Sequence, residues 1–529
     1  MESTIRKAVP LAVDPDNTVS TSTAASDAQS DGTATDGSIS SKNGSPSGDW
    51  KSKIEIGGLP VGAEKVVSSV DDDWERDANH PRNWSNRRKW IAATVVGLYN
   101  FMGPLPSAMM APALPDVALK YQITNETVLA LTLSVFLISY ALGPLLLSPL
   151  SEMYGRTWIL HISNIFNIAF NIGCAFSPNT ACLLAMRFMT GFSSSAPVAI
   201  GGGSISDLFA ENERGSAMAL FTIGPLLTLG PIIGGYITQT LGVKWLFIII
   251  ALICSLASVV GLPLLRETYA PVVRWNLAKK SGDLEMAREL DPSVIAARGG
   301  TPAQVVWVNL SRPMVLLTRS FVCFVLSLYQ AFNYGIYYLM FATFAKFFKD
   351  TYNFGPGMGG LAYLGLSVGF FISTIACIKY SDKFYMKLAE RNGGKGTPEM
   401  RMPSLIIGSI ICPIGLLWYG WSAQAQLHYM MPIIGTAIYG FGLMAAYFPI
   451  QLYLVDAFVY AASATGAASV FRPLLGFAFP LFGQHMSDRL GYGGANTLLA
   501  GISILIGIPF PIWIYYKGAE VRARSPLTR

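Results

Sequence analysis

Charged residues are scarce in this chain of 529 residues: Asp, Glu, Lys and Arg make up 13%, against 52% hydrophobic residues and a mean hydropathy of +0.42. So apolar a composition excludes a soluble globular protein. The six cysteines, at 174, 182, 254, 323, 377 and 412, form no CxxC pair and lie within or beside apolar runs. Neither a zinc site nor a disulfide framework is indicated, and no metal or cofactor is expected. Cys174 and Cys182 bracket one short loop but read as separate thiols. A Gly-x-x-x-x-Gly-Lys-[Ser/Thr] phosphate loop is absent, which disfavours direct ATP coupling. The few polar residues assemble no nucleophile, base and orienting group, so an enzyme is not expected. A net charge of +6 would suit nucleic acid, yet the basic residues cluster beside apolar runs, where they signal membrane topology instead.

What is present is a series of long apolar runs. A bilayer crossing needs about 20 such residues. Spans are expected near 90–113, 127–149, 158–177, 181–206, 216–240, 245–265, 314–342, 356–379, 402–421, 429–451, 461–483 and 493–516. The expected fold is therefore all-α and membrane-integral, with twelve transmembrane helices in two pseudo-symmetric six-helix halves, 74–265 and 314–516. A cytosolic loop, 266–313, joins the halves, and 517–529 forms a C-terminal tail. Residues 1–73, rich in Ser, Thr, Gly and Asp, read as a disordered tail without a cleavable signal peptide. Lys and Arg crowd one side, while the opposite loops hold only Lys120, Lys244, Lys346, Lys349 and Arg489. The positive-inside rule places the crowded side and both termini in the cytosol, with the plasma membrane as the default location. Asn125, in the outer sequon Asn125-Glu-Thr127, is a candidate glycosylation site close to the bilayer.

Three motifs stand in order along the first half. Ser148-Pro-Leu-Ser-Glu-Met-Tyr-Gly-Arg-Thr-Trp-Ile-Leu160 forms a tight turn between spans 2 and 3, Arg187-Phe-Met-Thr-Gly191 lies in span 4, and Gly224-Pro225-Leu-Leu-Thr-Leu-Gly230-Pro231-Ile-Ile-Gly234-Gly235 lies in span 5. The first resembles the loop 2–3 signature of the major facilitator superfamily, with Leu150, Glu152, Gly155, Arg156 and Leu160 in register. It departs at Ser148, Met153 and Thr157, which weakens its positive charge. The second is similar to that superfamily's Arg-x-x-x-Gly element, and the third resembles the motif associated with its antiporters. Further landmarks, including Asn79-x-Pro81-x-Asn83-Trp84 and Glu267-Thr-Tyr-Ala-Pro271, extend the resemblance to fungal twelve-span drug:proton antiporters, and among these to exporters of secondary metabolites and toxins.

Physical reasoning assigns roles to particular residues. Glu152 and Arg156 straddle Gly155, so a pair there would latch the loop in one conformation and release it in another. In the second half, Asp382, between Lys379 and Lys383, is the expected counterpart. The span 5 residues Gly230, Pro231, Gly234 and Gly235 allow close backbone approach and bending; packing alone and a role in setting transport direction both remain open. Arg187 and Arg472 are charges inside apolar runs and must face a cavity or a partner. No carboxylate sits at mid-span, which leaves Glu152 and Asp207 at the membrane edge, with His161, as candidate proton carriers. Asn100, Gln330, Asn333, Tyr334, Tyr337 and Tyr447 are the expected substrate-facing residues, because amides are costly against lipid and aromatics make an adaptable pocket.

The resulting expectation is a monomeric secondary transporter whose partners are a small-molecule substrate, protons and the lipid bilayer. It would export lipophilic or cationic molecules by alternating access, and proton antiport and outward direction are what the resemblance implies. A proton-coupled importer or facilitator of a nutrient such as a vitamin or polyamine, and a non-transporting membrane sensor, are the alternatives.

Overall fold

The computed structural model describes residues 74–209, 213, 216–218, 220–221, 229–282, 284–291, 311, 314–458 and 461–523. The expected tail 1–73, Gly224 and Pro225, most of the second part of the central loop, the last six residues and the side chain of Asp382 lie outside the described part. The described chain is built from helices. Among the described residues, seven helical stretches are long and apolar enough to cross a membrane: Glu126–Tyr154, Arg156–Ala175, Val243–Leu264, Pro356–Arg391, Pro398–Gln424, Met430–Ala457 and Ala464–Ala523.

Two of the other expected spans, the first and the fourth, coincide with interrupted helices. The first runs through α1 (Asn86–Met102), α2 (Leu105–Met110) and a 3-10 turn at Ala111–Ala113, then continues as α3 (Leu114–Tyr121). Pro104, Pro106 and Pro112 remove the amide donors that would have kept it continuous. After α4 (Glu126–Tyr154) and α5 (Arg156–Ala175), the fourth span divides into α6 (Thr180–Ser194) and α7 (Ala196–Leu208) just before Pro197. Next come α8 (Leu229–Leu241), α9 (Val243–Leu264) and two short helices, α10 (Ala270–Ser281) and α11 (Leu284–Glu289). The second half comprises α12 (Phe321–Tyr352), α13 (Pro356–Ala362), α14 (Leu364–Arg391), α15 (Met402–Gln424), α16 (Met430–Ala457), α17 (Ala461–Gly507) and α18 (Pro509–Ala523). Within α17 the chain reverses at Gly491, where φ is 71°, so this stretch contains the span expected at 461–483 and begins the one expected at 493–516, which runs on into α18.

Several helices outlast their apolar runs. α12 continues to Tyr352 rather than ending near 342, and α14 continues to Arg391 rather than ending near 379. Lys379, Asp382 and Lys383 therefore lie within a helix, not in a turn. No glycine stands there to stop the helix, which ends only before Gly393 and Gly394, at φ 69° and 81°.

Hydrogen bonds between the two halves gather at one end, here called the outer end, away from the basic loops. The Thr127 hydroxyl lies 3.4 Å from the Leu481 carbonyl oxygen and 3.3 Å from His485 Nε2. The Lys346 ammonium donates to the Glu126 carboxylate, and the Gly357 amide donates to Gln239 Oε1 at 3.0 Å. Asn125 is exposed and caps α4, its side-chain oxygen accepting from the Thr127 and Val128 amides at 2.9 and 3.3 Å.

Candidate functional site

The motif between α4 and α5 builds a charged clasp at the basic end. Gly155 sits at φ 97°, in the left-handed region, and a Cβ there would collide with the Glu267 carboxylate. That carboxylate accepts the amides of Arg156 (3.0 Å) and Thr157 (3.2 Å), two donors left unpaired at the start of α5, and also those of Thr268 (3.0 Å) and Tyr269 (2.9 Å). Burial raises the Glu267 carboxyl above its ordinary value, and the four amide bonds oppose this only in part. Arg156, buried, donates from Nε to Asp207 at the end of α7 across 2.5 Å, and its guanidinium lies 5.0 Å from the Tyr269 ring centre. Burial, followed by the charge of Glu152, pushes the Tyr269 hydroxyl up to about 12.

The expected Glu152–Arg156 latch thus takes another form. Arg156 turns toward Asp207, while Glu152 is exposed on the last turn of α4 and reaches Tyr269 electrostatically. Glu267 was legible only as part of a landmark; a chain separation of 111 residues hid its role as a cap.

The second half contains a parallel clasp among its described residues; the side chain of Asp382, the expected one, lies outside them. Arg401, just before α15, donates to Asp456 near the end of α16 at 2.7 Å, and Arg522 in α18 grips buried Glu399 at 2.7 and 3.0 Å. Arg401 thus stands at the start of the third span of its half and Asp456 at the end of the fourth, as Arg156 and Asp207 do in the first.

The two mid-span arginines differ sharply. Arg187 is wholly buried and donates to three carbonyls: Thr132 (3.2 Å), Pro106 (3.1 Å) and Leu133 (3.4 Å). It pins α6 to α2 and α4 rather than snorkelling, and Gly191 one turn on lets the α4 backbone come close. Arg472, on α17, lies 4.7 Å from the Tyr334 ring centre and 5.7 Å from that of Tyr447, and its buried Nε has no hydrogen-bond partner.

The expected substrate residues divide into two groups. Tyr334 and Tyr447 surround Arg472 together with Tyr140 of α4. One turn away, Gln451 donates to Gln330 at 3.3 Å and leaves Gln330 Nε2 without a partner. Neither Tyr140 nor Gln451 was singled out from sequence, where nothing distinguishes them from other span residues. The remaining residues make contacts between and within helices, and the side-chain oxygens of Asn100 and Asn333 have no partner. Asn333 donates to the Tyr329 carbonyl of its own helix, Asn100 donates to the Phe221 carbonyl, and Tyr337 packs among Tyr338, Phe341 and Phe370. His161 meets the Tyr99 hydroxyl at 3.0 Å, and Asn164 bonds Ser258 at 2.6 Å, so a polar face of α5 packs against α1 and α9.

The span 5 motif packs in two directions. Any side chain at Gly230 or Gly234 would strike Ala108 or the Met109 backbone in span 1, and one at Gly235 would strike the Pro356 carbonyl across the interface. The Pro231 carbonyl in turn lies against Gly360. Gly235 and Gly360 therefore bring α8 and α13 to backbone contact at the outer end.

A helical bundle of this length, with charged clasps at one end and an aromatic, guanidinium-bearing centre, defines a polytopic membrane transporter. A profile of the Major Facilitator Superfamily matches residues 96–480. The chain belongs to that superfamily, whose members are transporters and not enzymes. It is 42% identical over 467 residues to the "MFS transporter prlG" of a fungal species, covering 86% of this chain and 97% of that protein. It is 38% identical over 488 residues to the "Efflux pump vrtL" of Penicillium aethiopicum, covering 89% and 95%. Among solved structures, the xylose transporter XylE from E. coli, in a partially occluded inward open conformation, matches with a TM-score of 0.57 at 14% identity, covering 81% of this chain and 99% of that one. That similarity concerns the fold alone.

Proposed function

We propose that this protein exports lipophilic small molecules, secondary metabolites among them, by alternating access coupled to proton influx. The observation that carries the reading is where the halves hold each other: described hydrogen bonds between them gather at the outer end, and the clasps Arg156–Asp207 and Arg401–Asp456 each close within one half at the basic end. Such a state receives substrate from the basic side, which the positive-inside rule makes cytosolic. Outward release would require the outer contacts to part while the clasps rearrange. Relatives named as efflux pumps support outward direction. Coupling needs a group that gains and loses a proton with the cycle, and Glu267 is the best placed: burial keeps its carboxyl easy to protonate, and protonation would loosen its hold on the start of α5.

The test is reconstitution of the full chain in liposomes with an imposed pH gradient and a panel of lipophilic dyes. Uphill dye movement that collapses with the gradient is expected. Saturable movement indifferent to the gradient would refute antiport and leave a facilitator.

A further inference from the structure

Two buried arginines in one bundle invite comparison. Arg187 places its guanidinium donors on three backbone carbonyls and is satisfied by the protein. Arg472 is not. Its Nε is buried without an acceptor, and among the described residues no carboxylate pairs with it. Its neighbours come from three other helices, Tyr140 from α4, Tyr334 from α12 and Tyr447 from α16, so it faces the interior of the bundle rather than lipid. Arg472, Tyr334 and Tyr447 all retain partial exposure in the middle of long spans, so they line open space instead of filling a sealed core.

Two donors of this lining lack acceptors. Four residues before Tyr334 on α12 stands Gln330, and four after Tyr447 on α16 stands Gln451; these helices run in opposite directions, so both amides lie one turn nearer the basic end. Gln451 occupies the Gln330 oxygen, which leaves the Gln330 Nε2 donor unused. Two orphaned atoms beside this space, Arg472 Nε and Gln330 Nε2, are donors. Buried donors without acceptors are rare in native structures and mark where a ligand's acceptors belong. A guanidinium presents its donors as a flat fork that fits a carboxylate, and tyrosine faces on either side suit a flat ring system.

We propose that this centre selects lipophilic organic anions, with an ionised carboxylate or acidic phenol set against Arg472 and an aromatic body between Tyr334 and Tyr447. The inference rests on the transport reading above and narrows its substrate class: the cationic molecules expected from sequence would meet an unpaired positive charge.

The test uses the full-length protein in nanodiscs and liposomes at neutral pH, with anionic fluorescein, cationic rhodamine 6G and neutral Nile red as probes. Fluorescein should bind at least about 10-fold more tightly than rhodamine 6G, and Arg472→Gln should remove about 10-fold or more of the fluorescein affinity while leaving that of rhodamine 6G within about 3-fold. Arg472→Lys should keep part of the preference, since it retains charge but not the fork. The wild-type ratio of the two charged dyes decides the matter even if the glutamine variant does not fold. Tighter binding of the cation, or an equal loss of both dyes in Arg472→Gln, would overturn the proposal. Nile red separates the two readings: if the wild type moves none of the three dyes, the transport reading fails, whereas movement of Nile red without preference for fluorescein defeats only the anion inference.

Discussion

Replacing Glu267 by glutamine changes one oxygen into an amide nitrogen and removes one charge. In the native arrangement Oε1 accepts the amides of Arg156, Thr268 and Tyr269, and Oε2 accepts that of Thr157. The amide keeps only one accepting atom. Orienting it toward the three donors sets its NH2 against the Thr157 N–H, and leaving that buried donor unpaired costs about 1–3 kcal/mol. At neutral pH this loss in the variant is set against the relief of removing a buried charge. The pH dependence has a definite sign. The folded carboxyl titrates above the ordinary 4.5, so between 4.5 and its raised value the folded state holds a proton that the unfolded state has lost. Stability from this group consequently falls as pH rises through that window. The advantage of wild type over Glu267→Gln should be greatest near pH 4.5 and shrink toward neutrality. Thermal unfolding of both proteins in the same detergent across that range measures it. An advantage that grows with pH, or no pH-dependent difference, would refute the account of Glu267 as a buried clasp with a raised pKa.

Two other substitutions test the packing and the outer closure. Gly234→Ala drives a methyl into the Met109 backbone and should destabilise by about 1–3 kcal/mol, whereas Gly359→Ala, with nothing within 4 Å of its new Cβ, should be neutral or stabilising by up to about 1 kcal/mol; thermal unfolding compares the two. The Lys346–Glu126 pair joins the halves with both side chains more than a third exposed, so a double-mutant cycle with Lys346→Met and Glu126→Gln should give a coupling of about 0–1 kcal/mol that vanishes in 1 M salt. Spin-label distances between exposed Leu119 and Leu427 would report any change in outer opening, and a coupling of several kcal/mol would contradict a surface pair.

The apolar runs by themselves determined that the chain crosses a membrane many times, because span length and charge scarcity are properties of local composition. The turn at Gly155 was equally legible, since only a residue without a side chain fits that backbone and that closeness to Glu267. Sequence also marked Arg187 and Arg472 as costly charges, but could not separate them. Only the packed helices show that carbonyls of α2 and α4 satisfy one, while tyrosines from three helices surround the other and leave its Nε without an acceptor. Partners decided across long chain separations were likewise beyond local pattern: Arg156 with Asp207, Glu267 on the start of α5, and Arg401 with Asp456. Sequence determines what a residue costs to bury. Tertiary structure decides who shares that cost, because hydrogen bonds and ion pairs act over a few ångströms of space, whatever the distance along the chain.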